Sequence, residues 1–220
     1  IAIESVTIPM VKDYEDERFC EIEANKAILA LKLNGGGPVH INMYTRYSHD
    51  FSVREIPHVN TIYRHTIYDK EWPSIPHDGR IVVRIGSHAD FTDEQTRAID
   101  EFCATYDAVV CCDHTSGYRG KYEVHGQLVF GQQMWQSSLR NTNLCIHIGE
   151  VSGDQFCVNA KHTWRVSPDG ALRDTFGNLR RVFMMHETDF FNHYKKKDCN
   201  HTEYLDSLNK EIDEIKNKIP

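Results

Sequence analysis

Three short apolar runs constrain this chain more than any other feature: RIVVRIG (80–86), DAVVCCD (107–113) and NLCIHIG (143–149). Each has the length of one strand and is nearly continuous in Val, Ile, Leu and Cys, as a strand buried on both faces must be. Between the first two lies Thr92-Asp93-Glu94-Gln95. Thr92 can cap a helix there, and Gln95 occupies the capping-box position. An apolar stripe at Ile99, Phe102 and Cys103 follows. Between the second and third runs lies a polar, glycine-bearing loop, 114–123. After it, 125–139 reads as a helix with Leu128, Val129, Met134 and Trp135 facing a core. Strand, helix, strand, helix, strand at this spacing predicts right-handed βαβ units and a parallel sheet.

The pattern continues with FCVNAKHTWRVS (156–167), a Pro168-Asp169-Gly170 turn and RRVFMMHE (180–187), then a closing helix over 187–195. Residues 203–218 place Leu205, Leu208, Ile212 and Ile215 on one helical face, an amphipathic helix expected to dock on its own protein. Before the first run the texture differs. Residues 1–10 are β-like, and the acidic run Asp13 to Glu17 reads as a solvated face. In Lys26 to Asn42 a helix-like stretch with Ala27, Ile28, Leu31 and Leu33 ends at Gly35 to Gly37, and Pro38 leads into the strand Val39-His40-Ile41-Asn42. Residues 44–79 are linker-like, with Pro57, Pro73 and Pro76, although 58–68 is rich in β-branched and aromatic residues and reads as a strand.

A net charge of −7 argues against a general nucleic-acid or anionic-membrane surface. No apolar run approaches the roughly 18 residues of a membrane-spanning helix. The seven cysteines are odd in number and sit mostly in apolar runs, which fits reduced, buried thiols and a cytoplasmic setting. No C-x-x-C spacing supports a zinc site, and Cys111 and Cys112, adjacent on a strand, point to opposite faces and cannot share a metal ion.

In open α/β sheets, ligands sit outside the carboxyl ends of the strands. Those ends carry Gly86 and Ser87; Thr115, Ser116 and Gly117; and Gly149, Glu150 and Ser152. These are the candidate cofactor-binding residues, since small residues and loop N–H groups can hold a phosphate or nucleotide. No G-x-G-x-x-G follows the first strand, and plain turn chemistry is the competing reading. His40, His58, His65, His162 and His186 read as packing or surface residues, and Trp72, Trp135 and Trp164 as core or interface anchors.

The wording AILALKLNGGGPVHIN (27–42) and NLCIHIGEVSGD (143–154) resembles thiamine-diphosphate (ThDP) enzymes, most of all the menaquinone-pathway 2-succinyl-5-enolpyruvyl-6-hydroxy-3-cyclohexene-1-carboxylate synthase branch. The resemblance implies an α/β fold: a three-layer, Rossmann-like parallel sheet of six strands with flanking helices, of the central-domain type. It places 1–45 at the end of a pyrimidine-binding domain, 46–79 in a linker, 80–195 in a central α/β domain and 196–220 in a connector toward a third domain. It further implies a parent enzyme that uses ThDP and Mg²⁺ to decarboxylate 2-oxoglutarate and add the resulting carbanion to isochorismate, as a homo-oligomer. The family's activating glutamate would precede Ile1, and its Gly-Asp-Gly…Asn-Asn segment does not occur here. The expectation is therefore an excised, non-catalytic fragment with no catalytic residue, no metal ligand and no cofactor of its own, shaping an active-site rim. Its partners would be the remaining domains of the parent, with no nucleic acid and no membrane. An acetolactate synthase-like or other 2-oxo-acid decarboxylase, an autonomous nucleotide-binding module and an interaction scaffold are the competing readings.

Overall fold

Asp13 makes the acidic run the start of a helix, and Asp13, Glu15 and Glu17 stay exposed there as the solvated face expected of them. Its carboxylate accepts from Asp16 N at 2.9 Å, and Glu15, Asp16 and Glu17 fill the first turn of α1 (Tyr14–Ala30). Acidic side chains are favoured there by the helix dipole. The computed structural model describes residues 1–55, 58–131, 133–151 and 158–218, which divide into two compact units, 1–64 and 65–220.

In the first unit, α1 connects β1 (Glu4–Ile8) to a parallel neighbour, β2 (Val39–Met43). Val6 and Ala27 are buried between them, whereas Ile28 and Leu31, read from the sequence as part of the same apolar stripe, are exposed. The buried side of α1 is partly polar. Arg18 pairs with Glu21, and Glu21 in turn accepts from Asn60 N at 2.8 Å, while Asn25 Oδ1 accepts from Ile62 N at 2.8 Å. The helix thus pins the chain that follows β2 by hydrogen bonds that replace water at a half-buried contact.

The second unit is built on a sheet of order β3-β9-β8-β7-β4-β5-β6. Its strands are β3 (Tyr63–Thr66), β4 (Ile81–Ile85), β5 (Val109–Cys112), β6 (Glu123–Val124), β7 (Asn141–Ile148), β8 (Asn159–Val166) and β9 (Leu179–Met184). The pairs from β9 through to β6 are all parallel. The helices are α2 (Asp93–Tyr106), α3 (Gln127–Phe130), α4 (Glu187–Tyr194) and α5 (Glu203–Lys216). The three-layer, Rossmann-like α/β class is therefore the observed one, and β4 and β5 are buried along their whole length. The Thr92 capping box forms in full, with Thr92 N to Gln95 Oε1 at 2.8 Å and Gln95 N to Thr92 Oγ1 at 3.2 Å.

One expected helix is corrected. Among the described residues of 125–139, only Gln127–Phe130 is α-helical, and Ser138–Arg140 forms a 3₁₀ turn. Gly126 and Gly131 bracket the single turn, Met134 is almost fully exposed, and Trp135, half-buried against the core, bonds to Glu211 of α5. The space on that face is taken by α5, which buries Leu205, Leu208, Ile212 and Ile215 and packs beside α3 and β6.

The start of α5 has an unusual cap. Thr202 makes no capping hydrogen bond, and the first turn is closed from a distance by Asp107, whose two carboxylate oxygens lie 3.0 and 3.2 Å from Tyr204 N. Asp107 is itself the left-handed C-cap of α2, at φ 49°. Asp107→Ala loses the cap and strains the backbone, and should cost about 2 kcal/mol. Asp107→Asn, which keeps both roles, should cost a few tenths. Urea unfolding of the pair checks this; equal losses would mean the carboxylate caps nothing of consequence.

Candidate functional site

The strand order β7-β4-β5 brings the predicted strand-end loops side by side. Gly86 N donates to Ile148 O at 3.0 Å. Ser87 and Glu150 then close an antiparallel bridge, with Ser87 N to Glu150 O at 2.6 Å and Glu150 N to Ser87 O at 2.8 Å. The approach is close enough to demand glycine. A Cβ on Gly86 would meet Glu150 O at 2.1 Å, and Gly149 adopts φ +74° against Ser87 O. In the adjacent loop Asp113 N donates to Ile85 O at 3.0 Å, and the Asp113 carboxylate accepts from Thr115 N at 2.7 Å and Thr115 Oγ1 at 2.6 Å. Ser116 is buried and Gly117 lies against Asp90. Ser152 lies outside the described residues.

A phosphate cradle needs loop N–H groups that point outward. Here the N–H groups of Gly86, Ser87, Thr115, Ser116 and Glu150 are spent on neighbouring backbone and on Asp113. Among the described residues no cluster of His, Cys, Asp and Glu is arranged to hold a metal ion. Among the described residues, these loops therefore offer a ThDP diphosphate with its Mg²⁺ no cradle. A cavity of about 630 Å³ opens beside the Thr115 loop at the carboxyl ends of β5 and β6, lined by Asp113, His114, Arg119, Glu123, His125 and Gln127.

The unexpected feature lies one residue inside those loops. Arg84 of β4, His147 of β7 and Arg165 of β8 are register partners and so share one face of the sheet. They are 4%, 1% and 1% exposed, a buried basic row at the next-to-last residue of each strand. Arg165 Nη1 donates to Gly149 O at 3.1 Å and faces His147 Nδ1 at 3.3 Å, and Nη2 reaches Glu150 Oε1 at 2.8 Å. Arg173 joins the same carboxylate oxygen at 3.0 Å. A guanidinium has only donors, so His147 Nδ1 must be an acceptor and the imidazole neutral. Burial first, then Arg165 and Arg84, push its pKa down to about 3. On the neighbouring strand, burial pushes the Cys111 thiol well up and the Cys112 thiol up to about 12, so neither is a nucleophile at neutral pH.

Sequence reasoning passed over all three basic residues because each sits in an otherwise apolar run. The signal was the repeated ending Arg84-Ile85-Gly86, His147-Ile148-Gly149 and Arg165-Val166-Ser167. Glu187, also missed, is 6% exposed at the start of α4 and accepts from Gln95 Nε2 at 2.6 Å. His88, which stands against it, holds its pKa down to about 2.

No protein-family model matches the chain. Curated relatives do match in part. The chain is 36% identical over 75 residues to a 2-succinyl-5-enolpyruvyl-6-hydroxy-3-cyclohexene-1-carboxylate synthase of Phocaeicola vulgatus, a stretch covering 32% of the chain and 14% of the relative. It is 35% identical over 72 residues to the synthase of that name from Bacteroides thetaiotaomicron, 31% of the chain and 13% of the relative. With its counterpart from Bacteroides fragilis it shares 33% over 75 residues, again 32% and 14%. The matched stretch thus spans about a seventh of these relatives. No helix among the described residues is long and apolar enough to cross a membrane.

Proposed function

We propose that this chain is a non-catalytic stretch of a ThDP-dependent 2-oxo-acid decarboxylating synthase of the 2-succinyl-5-enolpyruvyl-6-hydroxy-3-cyclohexene-1-carboxylate synthase kind. The observation that carries the reading is the 36% identity over 75 residues to a protein of that name. In this reading residues 1–45 close the pyrimidine-binding domain, 80–195 form the central domain and 196–220 lead on. The parallel sheet is a spacer whose strand ends shape an active-site rim. ThDP and Mg²⁺ are held by the flanking domains, and the whole assembles as a homo-oligomer in the cytoplasm. The internally satisfied strand-end loops support the spacer role, since they leave those N–H groups nothing to offer a diphosphate.

Calorimetry tests this directly. Residues 1–220 should give no heat with ThDP and Mg²⁺, nor with FAD or ADP. Tight ThDP binding would overturn the spacer reading, and FAD or ADP binding would turn the sheet into a cofactor-carrying domain. A longer polypeptide containing this stretch should release CO₂ from 2-oxoglutarate when isochorismate, ThDP and Mg²⁺ are present. Release from pyruvate instead would favour the acetolactate type.

A further inference from the structure

His88 lies outside the basic row and outside everything assigned above, yet its surroundings are specific. It sits in the loop 86–92 that leaves β4, with its ring stacked on Phe91 at 4.3 Å between centroids. Its Nδ1 is 2.7 Å from Ala89 O, and its Nε2 is 3.5 Å from Glu187 Oε1 in the first turn of α4. Both ring nitrogens therefore face acceptors. A neutral imidazole has one N–H and one lone pair, so one of these two contacts must become repulsive. Only the imidazolium satisfies both. Glu187 cannot turn away easily, because Gln95 of α2 donates to the same carboxylate oxygen.

We propose that the loop 86–92 is a proton-gated clasp: the His88 imidazolium fastens the β4 strand-end loop to α4, and loss of its proton releases the loop. Glu187, Asp90 and Glu150 are the charged groups to weigh around the ring. Glu187 faces it from α4. Asp90, in the same loop, lies against Gly117, and Glu150, bridged to Ser87, is engaged by Arg165 and Arg173. The hydrogen bond to Glu187 raises the His88 pKa, against burial. The sign follows. The clasp is fully closed below the ordinary histidine value of about 6.5 and opens as pH rises through the higher folded value. The consequence reaches the rim, because Ser87 is bridged to Glu150 at the end of β7.

The test is a histidine-resolved NMR titration of the whole chain between pH 5 and 9, with amide exchange of 87–92 corrected for intrinsic chemistry. His88 should titrate above the ordinary histidine value with both nitrogens protonated below it. Exchange of 87–92 should speed up by about twofold to fivefold through that titration, the range a long, partly buried ion pair supports. In Glu187→Gln the raised titration should vanish. Titration of His88 at or below the ordinary value, or corrected exchange that ignores it, overturns the proposal. If Glu187→Gln fails to fold, the wild-type titration and the milder Gln95→Ala variant decide it.

Discussion

Arg165→Ala should lower the stability of the second unit by about 3–5 kcal/mol, the size expected when one member of a buried charged network is removed. Arg165 is among the largest fully buried side chains in the chain, 1% exposed. Truncation leaves Gly149 O and His147 Nδ1 without the donor they face and opens a cavity beside β7. Arg165→Met should cost less, about 1–2 kcal/mol, because it keeps the volume and Glu150 keeps Arg173. The difference between the two variants separates packing from charge. All three tryptophans lie in the second unit, so fluorescence-detected urea unfolding reports on that unit. An Arg165→Ala midpoint close to wild type would mean that the row is not structural.

The sheet was legible because strands buried on both faces announce themselves as unbroken apolar runs. Arg80 to Gly86, Asp107 to Asp113 and Asn143 to Gly149 each contain the observed strand or most of it. The capping box at Thr92 and the turn at Gly170 (φ 60°) were equally local, and local chemistry is what a sequence states most directly. α1 was half hidden because its core-facing positions include Arg18 and Glu21, which periodicity scores as solvent-facing. Their burial depends on Asn60, 39 residues from Glu21, and no window of sequence contains that partner. The expected helix at 125–139 failed for the opposite reason. Its apolar residues were real, but Leu128 and Trp135 serve a surface completed by α5, not one helical face.

The candidate loops show the same division. Glycine and serine after a strand marked Gly86, Ser87, Gly149 and Glu150 as strand-end residues. That they meet follows from the order β7-β4-β5, a tertiary fact. The basic row is the clearest case. Arg84, His147 and Arg165 are far apart in sequence, and each alone looks like one tolerated polar residue in a strand. Registered side by side they become an electrostatic constraint: with two guanidiniums on the row, the imidazole between them must stay neutral.

That constraint predicts an acid-sensitive fold. His147 binds a proton in the unfolded chain near pH 6.5 but in the folded protein only near 3. Between those values the unfolded state holds one more proton, so stability falls as pH falls, by about 1.4 kcal/mol per pH unit and up to ~5 kcal/mol in all. Glu187 acts in the same direction over a lower window, its stabilisation present above 4.5 and lost toward about 2. His88 acts oppositely, at and above its ordinary value. His147→Gln offers an acceptor to Arg165 without a titrating group, so between pH 6.5 and 4.5, before Glu187 contributes, it should flatten the slope by about 1.4 kcal/mol per pH unit, leaving the share of His65, His162 and His193, whose pKa burial also lowers. The measurement is the urea midpoint of both proteins at half-unit steps across that interval. Parallel curves would show that His147 is charged in the fold, and the neutral imidazole between two buried arginines would have to be abandoned.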